Sequence, residues 1–199
     1  MEYIEFNKTS ESNSLLPRIG GKSFISSDYW PKDGSENPMT LILSLPSEII
    51  SKVLKIDLEK NTFFSVFSTY SKEKGDYFLD KVIYNVDDAD ELDIIKENTK
   101  IIFHRKENDS INLSKYEIPA YEITVADGTD KETFLGGEPK FLQEELAFEE
   151  FDFFMQFYGG NFPSGYKNIL FLADAIGYIF IEKNIQINKS CGLYFGQST

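Results

Sequence analysis

Two Gly-Gly pairs, Gly20-Gly21 and Gly136-Gly137, constrain this chain more than any other feature. Arg18-Ile19-Gly20-Gly21-Lys22-Ser23-Phe24-Ile25 resembles Phe134-Leu135-Gly136-Gly137-Glu138-Pro139-Lys140-Phe141, at an offset of 137 − 21 = 116. An apolar run follows each pair, residues 39–45 and then 153–159, 153 − 39 = 114 apart. A further run repeats that offset, residues 63–67 and then 177–181. Paired glycines let the backbone turn through positive φ, or let another backbone approach closely. Two such turns at nearly one offset predict two related halves, about 15–85 and 130–185, that share one core. The 199 residues suit one domain, so 1–199 is read as a single domain.

The runs themselves are short and aromatic. The chain holds 18 Phe, 11 Tyr and one Trp. With Ile and Val they fall in bursts bounded by Gly, Pro, Asn and Ser, the pattern of strands and turns. Strands are expected at 40–45, 63–69, 81–84, 100–104, 121–125, 153–158, 169–173 and 178–182. A helix is expected from Ser47 as cap through Leu54, with Ile49, Ile50, Val53 and Leu54 at helical spacing and Glu48 in the first turn. Two more are expected at 88–97 and 140–147. The predicted class is α+β and β-rich, with mostly antiparallel sheets and few short helices.

Charge narrows the partners. Twenty Lys and Arg against 33 Asp and Glu leave a net charge of −13. Phosphate backbones need a basic surface, so nucleic acid is excluded as a general partner, and anionic membranes with it. A basic protein partner is expected instead. Cys191 is the single cysteine, which permits no internal disulfide. Residues Met1 to Asn7 show no basic n-region and no apolar h-region, and no apolar run approaches the ~18 residues of a membrane helix. The protein is therefore read as cytoplasmic.

Chemistry-bearing motifs are sparse. His104 is the single histidine, beside Arg105 and Lys106, and no Gly-x-Ser-x-Gly elbow accompanies it. One His and one Cys are too few ligands for a histidine- or cysteine-based zinc site. The acidic run at 87–93 lacks the glycine and the closing Glu of a calcium loop. Lys22 follows Gly21, but a phosphate-binding loop needs a different glycine spacing. No catalytic residue, metal ligand or cofactor is assigned. Residues 144–154 interleave acids with large aromatics, so Glu144, Glu145, Phe148, Glu149 and Glu150 are the expected partner-binding residues. The alternative is a small-molecule or carbohydrate site in a cleft between the halves, with Tyr29, Trp30, Gln156 and Asp174 as its lining.

These segments also carry a family resemblance. Arg18-Ile19-Gly20-Gly21, then Tyr29-Trp30-Pro31, then Asn37-Pro38-Met39-Thr40-Leu41 resembles the opening of the YwqG-like family of bacterial proteins. Phe134-Leu135-Gly136-Gly137-Glu138-Pro139 with Gln143 is similar to its second signature, and residues 171–181 to its closing motif. Ser23 stands where the family usually has Pro, and Ala173 where it has Gly. Leu43-Ser44 replaces an Ala-Gln that the second half retains in part as Met155-Gln156. The resemblance spans about residues 15–185 and implies a β-rich α+β fold of two related halves with no established catalysis. Some small acidic relatives look like immunity proteins of bacterial toxin systems. The resemblance thus implies that the basic partner is a toxin.

Overall fold

The computed structural model describes residues 1–84, 91–126, 132–143 and 148–198. Its strands are β1 (Glu2–Thr9), β2 (Arg18–Ile19), β3 (Thr40–Pro46), β4 (Thr62–Ser68), β5 (Thr99–Arg105), β6 (Tyr121–Val125), β7 (Phe134–Leu135), β8 (Phe151–Tyr158), β9 (Ile176–Glu182), β10 (Lys189–Ser190) and β11 (Gly192–Gln197). The helices among these residues are α1 (Ser47–Leu54), α2 (Leu79–Val82) and α3 (Glu91–Asn98). All named strands join one sheet, ordered β10-β5-β4-β3-β2-β6-β1-β7-β8-β9-β11, and their pairings are antiparallel. The sheet curls until β5 and β11 meet. There Cys191 N–H donates to the Ile101 carbonyl at 2.8 Å, and Thr99 Oγ1 donates to the Tyr194 carbonyl at 2.7 Å. The fold is a nearly closed, barrel-like α+β domain, and closure shelters edges that would otherwise seek another chain.

Two five-strand arrays make up most of this sheet: β6-β2-β3-β4-β5 and β1-β7-β8-β9-β11. Their registers correspond. In the first, Ser44 lies opposite Arg18 and Ser65, and Ser65 opposite Ile102. In the second, Gln156 lies opposite Phe134 and Tyr178, and Tyr178 opposite Phe195. Ser44 therefore corresponds to Gln156, 156 − 44 = 112 apart, and Ser65 to Tyr178, 178 − 65 = 113 apart. Both middle strands also slip register, between Leu41 and Leu43 and between Phe153 and Met155. The arrays join where Glu5 of β1 faces Thr124 of β6. The strands are thus 112 or 113 residues apart rather than 114. Each array also takes in strands outside 15–85 and 130–185.

Burial follows from curling the sheet and then covering it. Ile42, Leu43, Phe64, Val66, Phe103, Phe154, Met155, Phe157, Ile179 and Tyr194 belong to the main core. Alternate residues point outward, yet they are buried too, because the segment after each Gly-Gly pair lies over the outer face. Over the first array, Ile25, Trp30 and Met39 cover Leu41, Phe67 and Ile102. Over the second, Phe141 and Phe148 cover Phe153, Phe180 and Phe195. Both faces of β3 and β4 are apolar for this reason, which is unusual for an antiparallel strand.

Hydrogen bonds hold each strap down. Ser23 Oγ and Ser65 Oγ are 2.7 Å apart, and Ser65 Oγ is 2.9 Å from His104 Nε2. On the second array, Lys140 N–H donates to Gln156 Oε1 at 2.8 Å, and Tyr178 donates its hydroxyl proton to the Lys140 carbonyl at 2.8 Å. Leu142 N–H donates to Gln197 Oε1 at 3.1 Å. Ser44 occupies the place of Gln156 but is too short to span that gap. Its Oγ is buried without a partner among the described residues.

The structure departs from the sequence expectations at several elements. Residues 81–84 are not a strand: α2 occupies 79–82, and Ile83 makes an isolated parallel bridge to Gly196. Residues 169–173 form turns, with Phe171 at φ 66°, although Ile169 and Leu170 are fully buried. A short buried apolar run is ambiguous by periodicity, and here tertiary packing uses it as a plug. Residues 140–143 are not helical, and 144–147 lie outside the described residues. The third helix, expected at 88–97, is α3, and residues 88–90 of that expectation also lie outside them. Helix α1 has the expected span, but Pro46 is its cap residue, and Ser47 Oγ donates to the Glu59 carbonyl at 3.3 Å.

Cys191 sits at the barrel seam, fully buried, with its thiol donating to the Ile101 carbonyl at 3.3 Å. Burial raises its pKa well above the ordinary thiol value, and the charge of Glu182 adds to this. A buried neutral thiol is inert. The folded protein is expected to resist iodoacetamide at pH 8 and to react only as denaturant unfolds it. Stoichiometric labelling of the native state within minutes contradicts this placement.

Candidate functional site

A cavity of about 410 Å³ opens on the first array. Three loop segments and a helix bring residues into it: Asp33 and Asn37, Tyr70 to Phe78, Ser114 to Tyr116, and Lys81 on α2. Asp33 shapes the first loop, its Oδ1 accepting from Ser35 N–H at 2.9 Å and Asn37 N–H at 3.0 Å. This is the local bonding that makes Asp a turn former. Tyr70 is the buried hub. Its ring meets Phe78, Tyr116 and Tyr166 at 5.3 to 5.8 Å, and its hydroxyl donates to Asn168 Oδ1 at 2.8 Å. The 159–175 region of the second array thus braces a cleft whose wall belongs to the first.

The tyrosines of this cleft differ chemically. Burial raises the Tyr70 phenol far above its usual range, and Tyr166 and Tyr116 add to it. The Tyr116 phenol is held below its usual value, first by its hydrogen bond with Ser71 and next by Lys72 N–H, which donates to it at 3.1 Å. Lys115 and Glu73 form an ion pair at the rim. Tyr77 is more than half exposed, and its edge-to-face contact with Phe171, at 4.9 Å, fixes the ring.

A second groove, about 340 Å³, follows the seam between β5 and β11. Glu150 and Glu182 line it, with Phe151 and Leu193 as apolar wall and Lys96 and Lys100 along one side. Burial raises the Glu182 carboxyl above its ordinary value, the charge of Glu150 raises it further, and Lys96 opposes both. Burial lowers the Lys100 ammonium, against Glu97. Two carboxylates and two ammonium groups therefore share this opening, and the repulsion between Glu150 and Glu182 is offset in part by Lys96.

The residues expected from sequence fall as follows. Glu149 and Glu150 are exposed on the turn before β8, and Glu150 lines the seam groove. Phe148 turns inward, its ring 5.0 Å from Phe180 and 5.9 Å from Phe195, so it packs the domain rather than extending from it. Glu144 and Glu145 lie outside the described residues. Of the alternative lining, Tyr29 is exposed beside a 3-10 turn, and Asp174 is exposed before β9. Trp30 is buried, donating from Nε1 to the Met39 carbonyl at 3.0 Å and meeting Phe67 edge-on at 4.9 Å. Gln156 is buried, and both ends of its amide are engaged, with Lys140 N–H and with the Glu132 carbonyl. None of these four lines either cavity.

Sequence reasoning missed Tyr70, Tyr77, Tyr116 and Glu182. Tyr116 comes from a different loop than Tyr70 and Tyr77, and Glu182 ends a strand otherwise buried. Among the described residues, no group of three or more His, Cys, Asp or Glu side chains converges as metal ligands, and no helix is long and apolar enough to cross a membrane. No family model matches this chain, and no curated protein does. The likeness to the YwqG-like family therefore rests on the motifs quoted above.

Proposed function

We propose that this protein is a non-enzymatic binding module whose partner is a basic protein, and that it acts as an immunity protein against a bacterial toxin of the kind associated with YwqG-like relatives. The observation that carries the reading is the seam groove, where burial and the charge of Glu150 raise the half-buried Glu182 carboxyl despite Lys96 and Lys100 along one side, in a chain of net charge −13. A Lys or Arg side chain entering between them lays its methylenes on Phe151 and Leu193 and relieves the repulsion of the two carboxylates. The surrounding acidic field steers a basic partner toward the groove, with encounter rates rising ~10 to 10³-fold at low salt.

A lysine-rich peptide titrated by calorimetry tests this chemistry. Binding is expected at low ionic strength and is expected to weaken as salt rises. Glu150→Lys combined with Glu182→Gln is expected to weaken it by about a hundredfold, the scale of breaking a partly desolvated charge pair. Equal affinity for the wild type and this double variant, or no binding at low salt, contradicts the reading.

A further inference from the structure

We propose that the tyrosine-lined cleft is a second, independent binding site, and that its ligand is a neutral saccharide. The walls of the cleft offer an aromatic platform and unshared carboxylate oxygens. Tyr77 lines the cleft with 57% of its surface exposed and its ring in a T-shaped contact with Phe171. That exposure leaves aromatic surface open to solvent, and exposed aromatic surface is a platform for the C–H side of a pyranose ring. Asp33 and Asp76 each spend one carboxylate oxygen inside the protein. Asp33 Oδ1 takes two loop N–H groups, and Asp76 Oδ2 accepts from Ser71 Oγ. The second oxygen of each takes no hydrogen bond from a described residue, so both keep an acceptor for a ligand hydroxyl.

The charge balance selects against other ligand classes. Asp33, Glu73 and Asp76 line the cleft against Lys81 and Lys115, and Glu73 already pairs with Lys115. What remains is two acids and one ammonium, a field that does not favour phosphate or carboxylate ligands. The cleft is also too polar for a purely apolar molecule, which would leave those carboxylates desolvated and unpaired. A polyhydroxylated, uncharged ring satisfies the acceptors and covers the platform together. The site does not involve the seam groove, so its test stands apart from that of the basic-partner reading.

The experiment is calorimetric titration with glucose, galactose, N-acetylglucosamine, maltose and cellobiose, alongside glucose 6-phosphate and glucuronate. At least one neutral sugar is expected to bind, raising the melting temperature at about 20 mM by mass action. Tyr77→Ala and Asp76→Asn are each expected to weaken that binding about tenfold while leaving the ligand-free melting temperature near wild type. Glu150→Lys is expected to leave it unchanged. The charged sugars are expected to bind more weakly than their neutral counterparts. The proposal is overturned if none of the five neutral sugars binds, if a charged sugar binds better than its neutral counterpart, or if both variants retain full affinity.

Discussion

Replacing Gly20 with valine is expected to destabilise the protein by about 4 kcal/mol, a large share of the roughly 5–15 kcal/mol that holds an ordinary domain folded. Gly20 holds φ +60°, and a Cβ placed there meets the Ile118 carbonyl oxygen at 2.4 Å and the Pro119 carbonyl oxygen at 2.8 Å. The neighbours are backbone, so no rotamer change makes room. The flanking hydrogen bonds, Gly20 N–H to Ile42 and Gly21 N–H to Ile118, both at 2.8 Å, fix that approach. Strain at a left-handed position costs about 1–3 kcal/mol and overpacking about 1–3 more. Gly136 occupies the corresponding turn at φ +63°, but its added Cβ meets the Val53 side chain at 3.1 Å, which can move. Gly136→Val is expected to cost about 2 kcal/mol. Gly34→Ala, with nothing within 4 Å, serves as the neutral reference. Denaturant unfolding of the three variants checks the order. Equal midpoints for Gly20→Val and Gly34→Ala contradict the close approach.

Acid is expected to remove about 3 kcal/mol of stability between pH 6.5 and about 4 through His104 alone. The imidazole is almost wholly buried, and burial pulls its pKa from 6.5 down to about 4, against its hydrogen bond with the Arg105 carbonyl. Nδ1 lies 2.9 Å from that carbonyl and donates to it, which leaves Nε2 as acceptor for the Ser65 hydroxyl. The native ring therefore stays neutral, while the unfolded chain protonates near its ordinary value. As pH falls below 6.5 the unfolded state binds the extra proton, so stability falls through this window and is fully present above it. By pH 5 the loss is about 2 kcal/mol. His104→Gln, which cannot titrate, is expected to be flatter between pH 7 and 5. Parallel curves for the two proteins contradict the buried neutral imidazole.

Much of the frame was legible because its chemistry is local. Residues 40–45 and 63–69 read as strands from β-branched and aromatic density, and β3 and β4 occupy those positions. The two Gly-Gly pairs were legible as turns because positive φ demands glycine, and all four hold φ between +60° and +83°. Strand β11 was not legible. Gly192 and Gly196 weaken its signal, and its place beside β9 depends on a partner earlier in the chain. Nor was β1, whose Ile4 and Phe6 alternate with polar residues over only two periods. The cleft was least visible of all. Tyr70 and Tyr77 of one loop line the cleft with Tyr116 of another only once the barrel has closed, and nothing in their spacing records that. Gln156 shows the reverse error. It is expected to line a cleft between the halves, yet its partners are the strap backbone at Lys140 and the carbonyl of Glu132.

The fold and the proposed site are linked through the seam. β5 and β11 belong to different arrays, and their meeting places Glu182 of β9 and Glu150 of the turn before β8 beside Lys96 of α3. A groove at such a joint is fixed by the whole sheet, which favours binding with little rearrangement. The most direct test is affinity capture of the tagged protein from its native host at low salt, followed by mass spectrometry and repeated with the Glu150→Lys, Glu182→Gln variant. A single basic protein that the wild type retains, that salt releases and that the variant fails to hold is the predicted result. Capture of the same proteins by both forms, or of none that is basic, contradicts the account.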